Sequence, residues 1–232
     1  MHKIDINPVL LERGRTNRDG RDQSYTDLDM TKTAHIVVDM QRVYLEPGTC
    51  AEVPNARAAI PNVNAISRAV RAAGGLNVFV RNIYTEEEAV VWDSFYRNFL
   101  GKPFSDALIK ELSPEHELSA LSPLLDRTED EPVVLKARFS AFAPGLSNLH
   151  ELLQARGIET VIVSGTLTNC CAEATARDAH QFNYNVIFGA DSTGTITDEE
   201  HNATLGNLYV VYADVQMTSD IVALVSAAHS KL

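Results

Sequence analysis

Three kinds of reactive side chain follow short apolar runs in this sequence: a carboxylate, an amine and a pair of thiols. Asp39 closes the run AHIVVD, Lys136 closes PVVLK, and Cys170 and Cys171 come just after ETVIVSGTLTN. A buried Asp and a buried Lys are costly unless they pair, so these positions suggest that the two side chains meet. A thiol beside such a pair is a candidate nucleophile, whereas the pair alone could be a structural ion pair.

The cysteines stand in the segment SGTLTNCCAEATARDA, which runs from a strand through a tight turn into a helix. The helix is predicted to begin near Cys170 or Cys171. Unpaired N–H groups at a helix start favour a thiolate over a thiol, and a neighbouring Lys adds to that effect. The same N–H groups can receive a developing oxyanion. The spacing from the turn does not choose between the two cysteines, and the other one would be a small buried residue.

Six apolar, β-branched runs supply the strands that must position these residues. Stretches with helical spacing lie between the runs, such as ARAAIPNVNAISRAVRAAGG, where Pro61 is predicted near a helix start and Gly74 near its end. Strands that alternate with helices predict a three-layer α/β/α fold around a parallel sheet. Such sheets bind ligands at the carboxyl ends of their strands, where Asp39 and Lys136 stand. The runs cover residues 34–40, 76–82, 132–138, 159–165, 184–191 and 214–218.

The length and composition predict one domain with an N-terminal extension. The chain has 232 residues, of which 45% are hydrophobic, enough for a single well-filled core. Residues 1–32 are polar and turn-rich and are interpreted as an arm, which leaves 33–232 as the domain. An insertion at about 85–125 interrupts the alternation and carries the only Trp with several other aromatic residues. This insertion either packs as ordinary structure or lines and covers the pocket.

The net charge and the cysteine content restrict the partners, the cellular location and the cofactors that are expected. A net charge of -11 argues against nucleic acid or an anionic membrane, so a small-molecule substrate is expected. No apolar run is long enough for a membrane span and no signal core begins the chain, which predicts a cytoplasmic location. Three cysteines suit a reducing compartment. CxxC and HxxxH spacings are absent, so neither a metal nor another cofactor is expected.

The sequence resembles the isochorismatase-like cysteine hydrolases over roughly residues 33–220. The matching pieces are VVDMQ at 37–41, KARFSAF at 136–142 and SGTLTNCCAEATARDA at 164–179. The last piece fits the family pattern G-x-x-T-N-x-C-x-x-x-T-A-R-D without a gap. This fit places the nucleophile at Cys171.

The resemblance implies a catalytic triad of Asp39, Lys136 and Cys171 on a six-stranded parallel sheet of order 3-2-1-4-5-6. It also implies a cis peptide between Leu167 and Thr168. The oxyanion hole would consist of the backbone N–H groups of Thr168 and Cys171. Members of the family often form dimers or tetramers, so a homo-oligomer is expected.

Differences between this sequence and two branches of the family argue against the reactions of those branches. Isochorismatases proper lack the cysteine, and the metal-dependent nicotinamidases carry His residues where this chain reads RNIYTEEEAVVW. The metal-free amidases remain, and they imply cleavage of an amide, ureido or N-carbamoyl bond through a thioester-type intermediate. The expected substrate is a small carboxylate-bearing molecule that releases ammonia or an amine. The alternatives are an ester or vinyl-ether hydrolase and a non-catalytic metabolite-binding protein with a redox-sensitive Cys171.

Two groups of side chains are candidates for binding the substrate. Arg81, Arg138 or Lys102 could hold its carboxylate, although such residues are more commonly solvated or structural charges. The predicted aromatic lining of the pocket consists of Tyr44, Trp92 and Tyr96.

Overall fold

The computed structural model describes residues 1–87 and 91–229 and contains one six-stranded parallel sheet. Residues 88–90 of the predicted insertion and 230–232 of the predicted domain lie outside the described residues. The strands are β1 (Thr33–Val38), β2 (Leu76–Asn82), β3 (Val133–Lys136), β4 (Thr160–Thr166), β5 (Asn185–Gly194) and β6 (Asp214–Gln216). Their spatial order is β3-β2-β1-β4-β5-β6, and all neighbours are parallel, which confirms the predicted sheet.

Helices connect the strands and flank the sheet on both faces. Short 3-10 turns precede β1 and follow the fifth helix, and a π-helical turn follows β4. The helices of the described residues are α1 (Pro8–Asn17), α2 (Arg42–Leu45), α3 (Pro54–Ala72), α4 (Asp93–Tyr96), α5 (Lys102–Glu111), α6 (Leu149–Ala155), α7 (Glu173–Gln181), α8 (Asp198–Val211) and α9 (Thr218–His229). No helix among them is both long and apolar enough to cross a membrane.

The side chains of β1 alternate between two apolar layers. Ala34, Ile36 and Val38 face a core that also contains side chains of α6, α7 and α8. Val37 faces the opposite side, where α3 and α5 pack. The helices α3 and α9 cover the remainder of that face. Because every residue of β1 is buried, the strand can carry apolar residues at consecutive positions, which explains the run seen in the sequence.

The long helix α3 begins earlier than the sequence indicated. Pro54 occupies its first turn, where the missing N–H costs nothing, and Pro61 lies inside the helix on its exposed side. The predicted start near Pro61 is therefore wrong, because a proline within a helix and one at its start look alike in sequence. Gly74 follows the helix end with a φ of 79°, as its position predicts.

The first thirty residues contain a helix that lies on the body of the protein. The helix α1 packs against α8, and Gly14 of α1 leaves room for the ring of Tyr209. The ring of His2 stacks on His201 of α8 with 4.1 Å between centroids. These contacts hold the N-terminal segment beside the carboxyl end of the sheet.

A buried histidine stands in the middle of β1. Nε2 of His35 lies 2.7 Å from Oγ of Ser164, and Nδ1 lies 3.3 Å from both Oγ of Ser67 and Oδ1 of Asn77. Burial lowers the pKa of His35 from 6.5 to about 4. The ring is therefore held neutral within the layer between the sheet and α3.

We expect His35 to make the folded state sensitive to acid. Its pKa is about 4 when folded and 6.5 when unfolded, so the unfolded chain binds more protons between these values. The contribution of the neutral His35 ring to the free energy of unfolding is fully present above pH 6.5 and is lost as the pH falls toward about 4. For this one group the loss is on the order of 3 kcal/mol. Urea unfolding across this pH range should show a shallower decline in His35→Gln than in the wild type.

The slope of stability against pH is the deciding quantity, because His35→Gln also alters packing at every pH. His229 is exposed on α9, so His229→Gln is the matched control and should keep the wild-type slope. Equal slopes in His35→Gln and the wild type would contradict the assignment.

Candidate active site

The carboxyl ends of three neighbouring strands bring together side chains that are distant in sequence. Asp39 follows the last residue of β1, and Lys136 is the last residue of β3. The strand β2 lies between them, and its Asn82 is in register with Lys136. The side chains of Asp39 and Lys136 thus meet at the same edge of the sheet.

The Asp39–Lys136 ion pair is almost completely shielded from solvent. Nζ of Lys136 lies 2.7 Å from Oδ2 of Asp39, and the two side chains are 0% and 1% exposed. Nζ also donates to the backbone carbonyl of Arg138 at 2.9 Å. Neither oxygen of Asp39 receives a hydrogen bond of good geometry from a described residue, although the ammonium is close. The contact between Asp39 and Lys136 is therefore mainly the attraction of two close opposite charges.

Burial and charge act in opposite directions on both members of the pair. Burial raises the pKa of Asp39 above 3.8, and the positive charge of Lys136 only partly reverses this shift. Burial lowers the pKa of Lys136, but the negative charge of Asp39 outweighs burial and the pKa ends above 10.5. The amine therefore stays protonated, while the carboxylate accepts a proton more readily than an exposed one.

The backbone around Asp39 is fixed by two neighbours. Asp39 has a φ of 52°, in the left-handed region that Asp tolerates better than most residues. The amide of Gln41 accepts from the N–H of Asn82 at 2.7 Å and donates to its carbonyl at 2.9 Å, which ties the ends of β1 and β2. Gly165 on β4 has a φ of 113°, and a side chain there would collide with the backbone of Val38. Together these contacts set the direction of the Asp39 side chain.

The two thiols lie in a π-helical turn between β4 and α7. The turn spans Thr168–Ala172 and leads into α7, so helical structure begins two residues before Cys170 and Cys171 lies inside the turn. The carbonyl of Leu167 accepts hydrogen bonds from the N–H groups of Cys170 and Ala172, at 3.1 Å each. These two N–H groups are therefore used within the turn.

A cis peptide bond precedes the turn, one position earlier than predicted. It joins Thr166 to Leu167, so the predicted cis bond between Leu167 and Thr168 is wrong. A cis bond without proline has no residue-type signature, and the sequence could place it only through the family resemblance.

The two cysteines differ in burial and in the direction of their pKa shifts. Cys171 is buried, whereas Cys170 is only partly buried. The contact with the Cys170 thiol and burial raise the pKa of Cys171 well above 9.0, and the charge of Lys136 opposes this shift. The same contact lowers the pKa of Cys170. The helix start predicted a lowered thiol pKa, whereas burial and the Cys170 contact raise the pKa of Cys171, so this thiol needs a base.

His201 supports the turn and was not identified from the sequence. Its Nδ1 lies 2.9 Å from Oγ1 of Thr168, and its Nε2 lies 3.0 Å from the carbonyl of Ala190. A carbonyl only accepts, so Nε2 carries the proton and the Thr168 hydroxyl donates to Nδ1. Burial lowers the pKa of His201 to about 4, which keeps the ring neutral. A single His on a helix gives no signal in sequence that could have revealed this role.

The loop after β5 fixes the other side of the same turn. The hydroxyl of Thr195 donates to Oδ1 of Asn169 at 2.6 Å. The backbone N–H of Thr195 donates to Nε2 of His2 at 2.9 Å, and Nδ1 of His2 lies 2.7 Å from Asp198. The turn is thereby connected to the N-terminal segment through two hydrogen bonds and the stacked rings of His2 and His201.

A cavity of about 410 Å³ opens beside the two thiols. The predicted insertion contributes part of its wall, and the remainder comes from residues 44–53 and from residues at or just after the ends of β2, β3, β4 and β5. Two wider grooves have volumes of about 580 and 620 Å³; the second is lined in part by Lys136, and neither is lined by a cysteine. The residues that line the cavity are Tyr44, Cys50, Ala51, Glu52, Val53, Asn82, Phe95, Tyr96, Phe104, Leu108, Phe139, Leu167, Cys170, Cys171 and Ile196.

Residues 33–220 match the family model described as an isochorismatase domain, which is most of the chain. The chain belongs to the isochorismatase family. The resemblance carried by the three sequence motifs is thereby confirmed. In this isochorismatase-family hydrolase, no three His, Cys, Asp or Glu side chains within residues 1–87 and 91–229 are grouped as ligands for a metal ion.

Individual relatives support the family and the fold. N-carbamoylsarcosine amidase of Arthrobacter sp is 28% identical over 199 residues, which are 84% of this chain and 72% of that protein. An Arabidopsis thaliana protein described as a probable inactive nicotinamidase is 28% identical over 174 residues, 75% of this chain and 86% of that protein. The structure of a cysteine hydrolase from Pseudomonas syringae pv. phaseolicola has a TM-score of 0.77 and 24% identity and covers 87% of this chain and 95% of its own.

The aromatic residues predicted to line the pocket lie in or next to the cavity of this isochorismatase-family member. Tyr44 and Tyr96 line it directly. Trp92 packs behind the wall, where its ring centroid lies 4.8 Å from those of Phe95 and Phe139. Phe139 follows Lys136 closely in sequence and was not identified as a pocket residue.

The predicted carboxylate-binding residues lie outside the lining of the cavity. Arg81 donates to the carbonyls of Ser119 at 2.6 Å and Pro114 at 2.7 Å. The guanidinium of Arg138 lies over the ring of Trp92, 4.9 Å from its centroid. Lys102 is exposed and pairs with Asp106 on its own helix.

We expect removal of the Lys136 amine alone to destabilise the fold more than removal of both charges. Lys136→Met leaves the Asp39 carboxyl group buried without its partner, which costs about 3–5 kcal/mol. The double variant Asp39→Asn/Lys136→Met leaves no buried charge at this position and should recover most of that loss. Urea unfolding of the two variants beside the wild type measures the difference.

The exposed pair Lys102–Asp106 provides the control, since Lys102→Met should change the free energy of unfolding little. Equal losses in the single and double variants would show that packing, and not the unpaired carboxylate, determines the cost.

Proposed function

We propose that this chain is a cysteine amidohydrolase that cleaves a carbon–nitrogen bond of a small amide, ureido or N-carbamoyl compound. The observation that carries the proposal is the buried Asp39–Lys136 pair, which acts on the pKa of the Cys171 thiol in the wall of a small cavity. The similarity to an amidase of Arthrobacter sp supports the type of bond. The catalytic residues we propose are Asp39, Lys136 and Cys171.

In the proposed first step, Asp39 accepts the proton of the Cys171 thiol and the thiolate sulfur attacks the carbonyl carbon. A base is required because burial and the Cys170 contact raise the thiol pKa. The ammonium of Lys136 stabilises the thiolate as it forms and holds the carboxyl group in place. Before the reaction the three groups are an ammonium, a carboxylate and a neutral thiol, so their charges balance.

The negative charge of the tetrahedral intermediate requires hydrogen-bond donors close to Cys171. We assign this role to the backbone N–H groups of Thr168 and Cys171, in keeping with the family resemblance. The hydrogen bond from the Thr168 hydroxyl to His201 supports the assignment, because it fixes the residue that carries one of these donors.

Collapse of the intermediate breaks the carbon–nitrogen bond and leaves a thioester or thiocarbamate on Cys171. The protonated Asp39 gives its proton to the departing nitrogen, which leaves as ammonia or an amine. Water then attacks the acyl carbon while Asp39 accepts its proton. The carbon–sulfur bond breaks, the acid departs, and the proton returns from Asp39 to the sulfur.

Ammonia release from a panel of small amides, ureido acids and N-carbamoyl amino acids tests this function. The wild type, Cys171→Ala and Cys170→Ala are compared in the presence of a metal chelator. We expect Cys171→Ala to lose at least about 1,000-fold in kcat/KM, since removal of a nucleophile has effects of this order or larger. Cys170→Ala should stay within about 10-fold of the wild type, a loss of no more than 1.4 kcal/mol in transition-state binding.

Loss of activity in Cys170→Ala alone would overturn the choice of nucleophile. Hydrolysis of esters or vinyl ethers without any release of ammonia would overturn the type of bond. Binding of panel compounds without turnover of any of them would instead favour a metabolite-binding protein with a redox-sensitive Cys171.

The pH dependence of kcat/KM should reflect the Asp39–Lys136 pair and not a free thiol. Asp39 must be ionised to act as a base, and its raised pKa moves the acid limb above 3.8. Lys136 must stay protonated, and its raised pKa moves the basic limb above 10.5. With an uncharged substrate, activity should rise through the acid limb and then remain level. The apparent values belong to the interacting groups together.

Activity measured at neutral pH after incubation in acid separates this limb from acid unfolding through His35 and His201. A rate that increases through the usual thiol range near 9.0 would contradict the mechanism, because it would indicate direct ionisation of Cys171.

A further inference from the structure

We infer that the cavity beside Cys171 accepts an uncharged, apolar acyl group, so that the substrate is an amide without a carboxylate. The inference rests on the proposed function and names the class of substrate for the same site. It replaces the carboxylate-bearing substrate expected from the sequence, because the described cations that would bind a carboxylate lie outside the lining.

The wall of the cavity is formed largely by hydrocarbon. Phe95 and Phe139 pack edge to face with 5.0 Å between their ring centroids, and Trp92 supports both from behind. Phe95 and Phe139, supported by Trp92, thus present a fixed surface that is suited to a flat or branched apolar group. The apolar side chains that line the cavity besides the tyrosines and cysteines are Ala51, Val53, Phe95, Phe104, Leu108, Phe139, Leu167 and Ile196.

The charge of the described lining is neutralised within the protein. Glu52 is its one charged residue, and its carboxylate pairs with Arg57 and accepts from the N–H of Gly48 at 2.8 Å. The nearby ammonium of Lys136 is engaged by Asp39 and by a backbone carbonyl. A substrate carboxylate would therefore lose its water without gaining a cation in exchange, which is strongly unfavourable.

The polar groups that line the cavity with the two thiols include an amide and two phenols. Asn82 donates to the hydroxyl of Tyr44 at 3.2 Å, and the pKa values of Tyr44 and Tyr96 are raised above 10.0. Burial is the main cause of those raised values, so both phenols stay neutral. A carboxamide has donors and acceptors that match such groups, while the apolar end of the same molecule would lie against the phenylalanines.

Two substrates of similar shape and different charge test the inference, namely para-methylbenzamide and para-carboxybenzamide. Ammonia release should give a kcat/KM at least about 100-fold higher for the methyl compound, because burying an unpaired carboxylate costs several kcal/mol. The same order of preference should appear in calorimetric binding to Cys171→Ala, which does not depend on turnover.

A cation introduced into the wall should reverse the preference. Phe104 lines the cavity and is 41% exposed, so Phe104→Arg places a guanidinium there without burying it fully. This variant should raise kcat/KM for the carboxy compound and lower it for the methyl compound. Phe99 is more exposed and does not line the cavity, so Phe99→Arg is the matched control and should keep the wild-type preference.

The binding measurement distinguishes failure of this inference from failure of the proposed function. Preference for the methyl compound in binding, with no hydrolysis of any amide by the wild type, would support the cavity assignment and overturn the amidohydrolase. Equal or tighter binding of the carboxy compound, or binding of neither, would overturn the apolar class. Amide hydrolysis confined to carboxylate-bearing substrates would also overturn the apolar class of substrate, but it would agree with the proposed amidohydrolase function.

Discussion

Lys136 and Asp39 form an ion pair that solvent barely reaches, and much of the nearby structure can be understood from the cost of holding it there. Each ion loses several kcal/mol of hydration, and only a close and fixed partner offsets that loss. Two strand ends provide the closeness, since a parallel sheet aligns the carboxyl ends of its strands at one edge. Gln41 and Gly165 then fix the backbone on the Asp39 side. The rigidity of the sheet is therefore a condition for having these charges at all.

In the proposed mechanism, the same ion pair determines what kind of nucleophile Cys171 is. A thiolate formed at rest would react with oxidants and unrelated electrophiles, as cysteines of low pKa do. Here the carboxylate already balances the ammonium, and burial with the Cys170 contact raises the thiol pKa. The mechanism we propose therefore keeps the sulfur as a thiol until a substrate is bound and the proton moves to Asp39. On this proposal, reactivity depends on occupation of the cavity, and the apolar wall selects the molecules that occupy it.

The sequence predicted features that have a repeating or local physical cause. Apolar runs with interposed helical stretches predicted the parallel sheet, and the strand-end positions of Asp39 and Lys136 predicted their meeting. Other features depend on contacts between sequence-distant residues and left no such pattern. His201 approaches Thr168 only because α8 packs beside the turn. Arg81 does not reach the cavity because it donates to the carbonyl of Ser119, in a loop whose conformation could not be predicted from the sequence. The cysteine pKa was misjudged because burial cannot be inferred from helix position alone.

The contact between His2 and His201 has a consequence for the order of folding. Thr195 and His2 are separated by 193 positions, and their hydrogen bond forms beside the turn that carries the thiol. Contacts this far apart in sequence incur a loop-closure entropy that the rest of the fold must first offset. The strands can align before the first residues of the chain reach α8, but the turn lacks part of its support until they do. A refolding chain would therefore regain its secondary structure before its active site is complete.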